Sequence, residues 1–395
     1  MRYSQVLLID VTRLVARFLE GRLPTGVDRV SLEYIRHFYD NAQAMVRYHG
    51  RWLELSVVDS RRLFDALLVY KRQLKWLIYR LITKAWWSNF LPSNRTTRLL
   101  LEIGHHGMEQ VDYFEKLSKY KLQPIFFVHD LIPVFHPEYC RSGEAEKHNA
   151  RMNTALKLGQ GIIVNSDSTL AELNVYAKSI GQPLPLTIAA KLSAAKLPEP
   201  DPIPIIDSPY FVILGTIEPR KNHLMILQVW RRLVEQLRDA APKLVIIGQR
   251  GWECENVVDM LERCELLHDF VLERPNCSDT ELATYLRHTK SLLFPSFAEG
   301  YGLPLVESLT LGTPVIASNL QVFHEIAGDV PDYLDPLDGV GWLDKIKEFS
   351  LPNSQPRAEQ LKRMKSFEAP SWSTHFNLVD QFICDIADRQ KNNGK

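Results

Sequence analysis

Two glutamates eight positions apart, Glu299 and Glu307, bracket a glycine-rich turn in FAEGYGLPLVE, residues 297–307. The turn follows an apolar run, SLLF (291–294), which reads as a buried strand. It leads into LPLVESLTLG, which reads as a helix with Pro304 in its first turn, where a missing N–H costs little. Gly300 and Gly302 let a ligand approach the backbone closely. A helix N-terminus attracts an anion, and carboxylates accept hydrogen bonds from vicinal diols. A diphosphate at this N-terminus, with one polyol near each glutamate, describes a nucleotide sugar. Taken alone, Glu307 also fits a carboxylate placed on the helix dipole.

A second stretch has matching chemistry. GTIEPRKNH (215–223) runs from an apolar strand, YFVIL, toward a helix. Gly215 permits a tight turn, and Arg220 and Lys221 then stand at the carboxyl end of a strand, near a helix N-terminus. Open α/β sheets bind ligands there. A guanidinium fork, an ammonium and helix amides suit a diphosphate. Alone, the motif is equally a solvated loop with two surface cations. No D-x-D sequence occurs, so no carboxylate pair of that kind offers to hold a metal on the phosphates.

The remaining candidates lie in the first half. FFVHDLIPVFHPEY (126–139) places His129 and Asp130 at a strand end, whereas His136 lacks that position. RLPTGVDRVSLEYIRHF (22–38) is a glycine-containing loop entering a helix, with Gly26 foremost and Asp28 and Arg29 behind it. NSDSTLAEL (165–173) reads as helix capping at Ser166 or Ser168.

Short apolar runs that alternate with helical patterns must position these residues. VLLI (6–9), PIFFV (124–128), GIIV (161–164), YFVIL (210–214), KLVIIG (243–248), SLLF and VIAS (315–318) read as strands. Helices lie between, such as NHLMILQVWRRLVEQLRDAA and SDTELATYLRHT, the latter with a capping box of Ser278 and Glu281. The alternation predicts parallel, doubly wound sheets. DPIPIIDSP (201–209), with three prolines, reads as a linker. The expected division is residues 1–203, residues 204–371, and a helix from 372 to 395 that returns to the first domain.

Composition sets the class. A chain of 395 residues, 45% hydrophobic, is long enough for about two domains. With 47 basic and 47 acidic residues it has no footprint for coating nucleic acid. Five scattered cysteines without a CxxC support neither a disulfide framework nor a zinc cluster, and suit a reducing compartment. VLLI is too short for a signal-peptide core, and no spanning run of 18 apolar residues occurs. The expected location is cytoplasmic, or peripheral on the inner face of the cytoplasmic membrane. Residues 66–101 motivate the second option: they hold seven Lys or Arg, no Asp or Glu, and Trp76, Trp86 and Trp87. At helical spacing Leu67, Leu74, Leu77, Ile78, Leu81 and Ala85 share a face, as in a helix lying on anionic lipid or packed on its own domain.

EPRKN followed by EGYGLPLVE and GTPVIAS resembles the donor domain of retaining glycosyltransferases of family 4, most strongly over about residues 210–330. The resemblance implies the GT-B architecture, two Rossmann-like doubly wound domains with a cleft between them, the first on the acceptor side and the second binding the donor. It implies that Arg220 and Lys221 grip the donor diphosphate, with Gly215 and Thr216 beside it. Glu299 of the E-x7-E motif would lie by the donor sugar and Glu307 by the ribose, with Gly300, Tyr301, Gly302 and Leu303 along the phosphates. Arg274 to Ser278 would line the base, Cys277 there serving packing. Gly26 would belong to a loop over the phosphates, and His129 would bond the donor sugar.

The implied activity is metal-independent hexosyl transfer with retention, without a cofactor beyond the nucleotide-sugar substrate. HDLIP points toward GDP-mannose, with a rhamnose nucleotide as runner-up. The acceptor would be a glycan or lipid-linked saccharide of O-antigen, capsule or exopolysaccharide synthesis. A GT-B sugar-nucleotide 2-epimerase shares the architecture, a phosphorylase would be larger and need pyridoxal phosphate, and a non-catalytic sugar binder would dispense with the two cations and two acids.

Overall fold

Runs of apolar residues too short for helices become strands with both faces covered. A computed structural model describes residues 7–88 and 97–393. These divide into two compact units. The first takes the described residues up to Leu131, Glu146–Leu192, and those from Trp372 on; the second takes Ile132–Ala145 and Ser193–Ser371.

The first unit is built on β1 (Leu7–Asp10), β2 (Ala42–Tyr48), β3 (Arg51–Glu54), β4 (Arg98–Glu102), β5 (Leu122–Val128), β6 (Gly161–Val164) and β7 (Thr187–Ala189). They form one sheet in the order β3-β2-β1-β4-β5-β6-β7. Only the β2–β3 pair is antiparallel. The winding reverses between β1 and β4. The helix Trp372–Asn393 completes this unit. Its Phe382 and Ile386 lie so close over Gly161 that a Cβ there would meet each of them at 2.6 Å. His375 of the same helix accepts from Tyr34 Oη at 3.0 Å and donates from Nδ1 to the Ala190 carbonyl at 3.1 Å.

The second unit holds β8 (Tyr210–Leu214), β9 (Lys243–Ile247), β10 (Val271–Arg274), β11 (Leu292–Phe294), β12 (Val315–Ser318) and β13 (Asp332–Leu334). All are parallel, in the order β10-β9-β8-β11-β12-β13. The chain winds outward from β8 in one direction and from β11 in the other, so the topological switch lies between these neighbours. The helix His223–Leu237 packs on the sheet through Ile226, Leu227, Trp230 and Leu233. The Trp230 indole N–H donates to the Pro242 carbonyl at 3.0 Å.

Residues 201–209 contain neither helix nor strand. They belong to the second unit, because Asp201 N–H donates to Thr284 Oγ1 at 2.9 Å and the Asp201 carbonyl accepts from His288 at 2.8 Å.

The basic segment 66–101 differs from a single amphipathic helix. Leu67 ends in the helix Val57–Val69, Leu74 in the 3-10 turn Arg72–Leu74, and Leu77, Ile78, Leu81 and Ala85 in the helix Lys75–Ser88. Residues 89–96 lie outside the described residues, and Arg98–Glu102 is the buried strand β4. A positively charged tract masked the RLLLE strand in the sequence. Ile78, Leu81, Ile82 and Ala85 are buried on their own unit, whereas Trp76 and Trp87 are 78% and 70% exposed.

Candidate functional site

The loops after β8 and β11 leave neighbouring strands at the switch point, the position where open parallel sheets place ligands. The β8 loop starts at Gly215, whose φ of +139° favours glycine, and continues through Thr216 to a 3-10 turn, Pro219–Lys221. Asn222, with φ +57°, ends that turn and caps the helix His223–Leu237. Its side-chain amide donates to the carbonyls of Pro295 at 3.2 Å and Pro336 at 2.8 Å, which ties the β8, β11 and β13 loops together.

Four charged side chains meet here. Arg220 Nη1 lies 2.7 Å from Glu299 Oε2, and Arg220 Nη2 lies 2.7 Å from Glu218 Oε1. Lys221 Nζ donates to Glu299 Oε1 at 2.5 Å, and Ser296 Oγ donates to the same oxygen at 2.7 Å. Arg220 also donates to the Ala298 carbonyl at 3.0 Å. The two cations are therefore matched by two carboxylates, beside the phosphate role that the resemblance implies for them. Burial pushes the Glu299 carboxyl up, but Arg220 and Lys221 outweigh it and hold it at about 2. Burial draws Lys221 below the ordinary lysine value, opposed by Glu299. The result is a largely buried, preorganised ion cluster. Such a cluster stabilises developing charge without having to reorganise.

The β11 loop returns through Gly300 and buried Tyr301 to Gly302, which caps the helix Leu303–Thr310 with φ +116°. A Cβ at Gly302 would come within 2.8 Å of the Phe323 ring. Pro304 occupies the first turn, and Glu307 opens the second turn, 4% exposed. Arg274 ends β10 and donates from Nε to Tyr285 Oη at 3.0 Å. Two strand spacings, about 10 Å, separate β10 from β8. That spacing suits a nucleoside laid from Arg274 toward Lys221. Burial raises the Cys277 thiol to about 11, which disfavours its thiolate.

His129 and Gly26 belong to the first unit. His129 follows β5 and is 8% exposed. Its Nε2 donates to the Ile103 carbonyl at 2.8 Å, and burial lowers its pKa to about 4. The ring is neutral at pH 7, and Nδ1 is its acceptor. Its carbonyl accepts from Asn165 at 2.7 Å. Ser166, not Ser168, is the N-cap there, accepting from Thr169 N–H at 3.0 Å. Gly26 is the first residue of the helix Gly26–Phe38, whose capping box joins Thr25 and Asp28. Asp28 is 1% exposed and pairs with Arg13 at 3.0 Å and Arg17 at 2.8 Å. Its two carboxylate oxygens are thus each engaged by an arginine of its own unit.

Sequence reasoning missed Glu218, Ser296 and Asn222. Their signal was present, since each lies within three residues of Arg220, Lys221 or Glu299.

Residues 201–331 match the family model of the glycosyl transferases group 1. The matched residues lie within the second unit. Over 255 residues the chain is 26% identical to the serotype-specific mannosyltransferase WbdA of Escherichia coli, covering 60% of this chain and 31% of that protein. Over 146 residues it is 32% identical to the O-antigen chain mannosyltransferase B of Escherichia coli, covering 37% of each. The chain thus spans about a third of the length of these curated relatives. Among solved structures, Anabaena HepE in complex with UDP and glucose superposes with a TM-score of 0.68 at 14% identity, over 98% of this chain and 100% of that one. The architecture is GT-B, and the Arg220–Lys221–Glu299 cluster lies inside the residues that match the family model.

Proposed function

We propose that this chain transfers a hexosyl unit from a nucleoside-diphosphate sugar to a glycan or lipid-linked acceptor in O-antigen, capsule or exopolysaccharide assembly. The observation that carries the reading is the ion cluster of Arg220, Lys221, Glu218 and Glu299 at the switch point of the second sheet. The mannosyltransferase relatives favour mannose, and GDP-mannose is the donor we assign.

In this reading the anomeric carbon–phosphate oxygen bond breaks and negative charge grows on the diphosphate. Arg220 and Lys221 offset that charge, and no metal is needed for it. The acceptor hydroxyl attacks from the face the leaving group vacates, and its proton passes to a phosphate oxygen, so configuration is retained. Glu299 holds both cations in place and lies beside the sugar. Glu307 takes the ribose, Arg274 the base end, and Gly300 to Leu303 the phosphates with Gly215 and Thr216. For His129 and Gly26 of the first unit, the roles toward the donor sugar and its phosphates are those that the resemblance implies.

A panel of nucleotide sugars assayed for nucleoside diphosphate release and for new glycoside tests this. GDP-mannose turnover with a retained anomeric linkage, unchanged by a chelator, supports it. A rhamnose nucleotide as the preferred donor replaces the donor, and an epimerised donor without glycoside overturns the transferase reading.

Membrane contact belongs to the same proposal. On the helix Lys75–Ser88, Trp76, Tyr79, Arg80 and Trp87 share the exposed face. Aromatic and basic groups on one face suit anionic lipid. Among the described residues no helix is long and apolar enough to cross a membrane.

A further inference from the structure

The segment Ile132–Ala145 follows β5 of the first unit but belongs to the second. It contains a four-residue helix, Ile132–Phe135, and a 3-10 turn, Pro137–Tyr139. Two ring contacts fasten it. Tyr139 stacks on Phe297, with centroids 5.2 Å apart and planes 7° from parallel. The Arg141 guanidinium lies 4.7 Å from the centre of the Trp252 ring. His136 stacks behind Tyr139 at 5.9 Å, which gives that histidine a packing role.

The anchoring points are not arbitrary. Trp252 lies in the loop after β9 and Phe297 in the loop after β11, and β8 runs between those strands. The segment is therefore fastened to the loops on either side of the one that carries Arg220 and Lys221. Both anchors connect onward to that loop. Phe297 N–H donates to the Arg220 carbonyl at 2.9 Å, and its neighbour Ala298 accepts from the Arg220 side chain. Gly251, beside Trp252, donates to the Ile217 carbonyl at 2.9 Å and leaves no room for a Cβ against Thr216. Phe297 is two residues from Glu299.

We propose that Ile132–Ala145 is a strap in which Tyr139 acts as a positioning residue, holding the Phe297–Glu299 stretch in register with Arg220 and Lys221. Arg141 on Trp252 fixes the other flank. The catalytic part of this inference rests on the transferase reading; the mechanical part does not. A displacement of about 1 Å in a reacting constellation costs on the order of a hundredfold in rate, so a ring stack outside the ion cluster governs it without touching substrate.

The test uses the full chain with Tyr139→Ala, Tyr139→Phe, Phe297→Ala and the Tyr139→Ala/Phe297→Ala double variant. Amide hydrogen exchange is followed over residues 296–303, without donor. Turnover of the preferred donor is measured alongside, with thermal melting as a control. Tyr139→Ala is expected to speed exchange of those amides about tenfold and to lower kcat/KM for the donor ten- to a hundredfold. Tyr139→Phe, which keeps the stack, returns both to wild-type values. The double variant is no worse than Phe297→Ala alone, since both remove one contact. Unchanged exchange in Tyr139→Ala, or fully additive losses in the double variant, overturns the strap. If the wild-type chain turns over no nucleotide sugar, the transferase reading falls and the exchange arm still decides the strap.

Discussion

Lys221 Nζ lies 2.5 Å from Glu299 Oε1, although 78 residues separate them in the chain. The contact joins the loops after two adjacent strands, and Arg220 closes the cluster from the other carboxylate oxygen. Removing one partner of a buried pair leaves the other charge uncompensated, at about 3–5 kcal/mol when no second partner remains. Arg220 remains for Glu299 here. Lys221→Ala is therefore expected to cost about 1–3 kcal/mol of stability and a hundredfold or more in transfer. Lys221→Met combined with Glu299→Gln should be more stable than either single variant. Denaturant unfolding with single-turnover assays checks both, and near-normal transfer by Lys221→Ala would sink its assigned role.

Gly248 gives a steric prediction. It follows β9 with φ +154°, and a Cβ there would sit 2.0 Å from the Gly215 carbonyl oxygen. Backbone has to move in the loop that precedes Arg220. Gly248→Ala is expected to lose about 3 kcal/mol or more, with donor binding lost in step. Gly181→Ala is the control. Its φ is +65° but nothing lies within 4 Å, so about 1 kcal/mol of backbone strain is its whole cost. Equal melting temperatures for the two variants would refute the crowding argument.

Acid should destabilise the fold in two windows. Burial lowers His129 to about 4, His375 to about 4 and His223 to about 3 from an ordinary 6.5. Below pH 6.5 the unfolded chain binds these protons and the folded chain does not, so stability falls as pH drops from 6.5 toward the folded values. Each histidine adds a slope of up to about 1.4 kcal/mol per pH unit. Glu299 acts lower. Its folded value of about 2 lies under the ordinary 4.5, so its contribution is complete above 4.5 and is lost as pH falls toward 2. Urea titrations at pH 7, 6 and 5 should show the first slope, and His375→Gln should remove about one proton from it.

The exposed face of the helix Lys75–Ser88 predicts salt-sensitive lipid binding. Wild-type protein should float with vesicles rich in anionic lipid and not with neutral ones, and high salt should release it. Trp76→Ser/Trp87→Ser should lower that partition about tenfold with an unchanged melting temperature, because both rings are already exposed. Equal flotation of the double variant would exclude this face.

Much of the second unit was legible from local sequence. YFVIL, SLLF and VIAS are internal strands of the sheet, as their short, mainly apolar runs indicate, and Ser278 with Glu281 does form the capping box. What stayed hidden was pairing across distance. Nothing in EPRKN says that Glu299 will occupy both cations, or that Asn222 will bind carbonyls 73 and 114 residues away. Asp28 reads as available in GVDRV, but Arg13 and Arg17 of the helix Thr12–Glu20 pair with it. β13, three half-buried residues, carries too little pattern to stand out against its surroundings. Periodicity reports one face of one element, and ion pairs and ring stacks between elements leave no periodic trace.

The helix Trp372–Asn393 bears on the order of events at the ribosome. It supplies the cover for Gly161 and the partner for Tyr34, more than two hundred residues upstream of it. During synthesis the second unit has its whole sequence before the first one does. The half of the molecule that emerges earliest thus waits longest with an apolar face open, and a nascent chain arrested near residue 371 would present that face to chaperones.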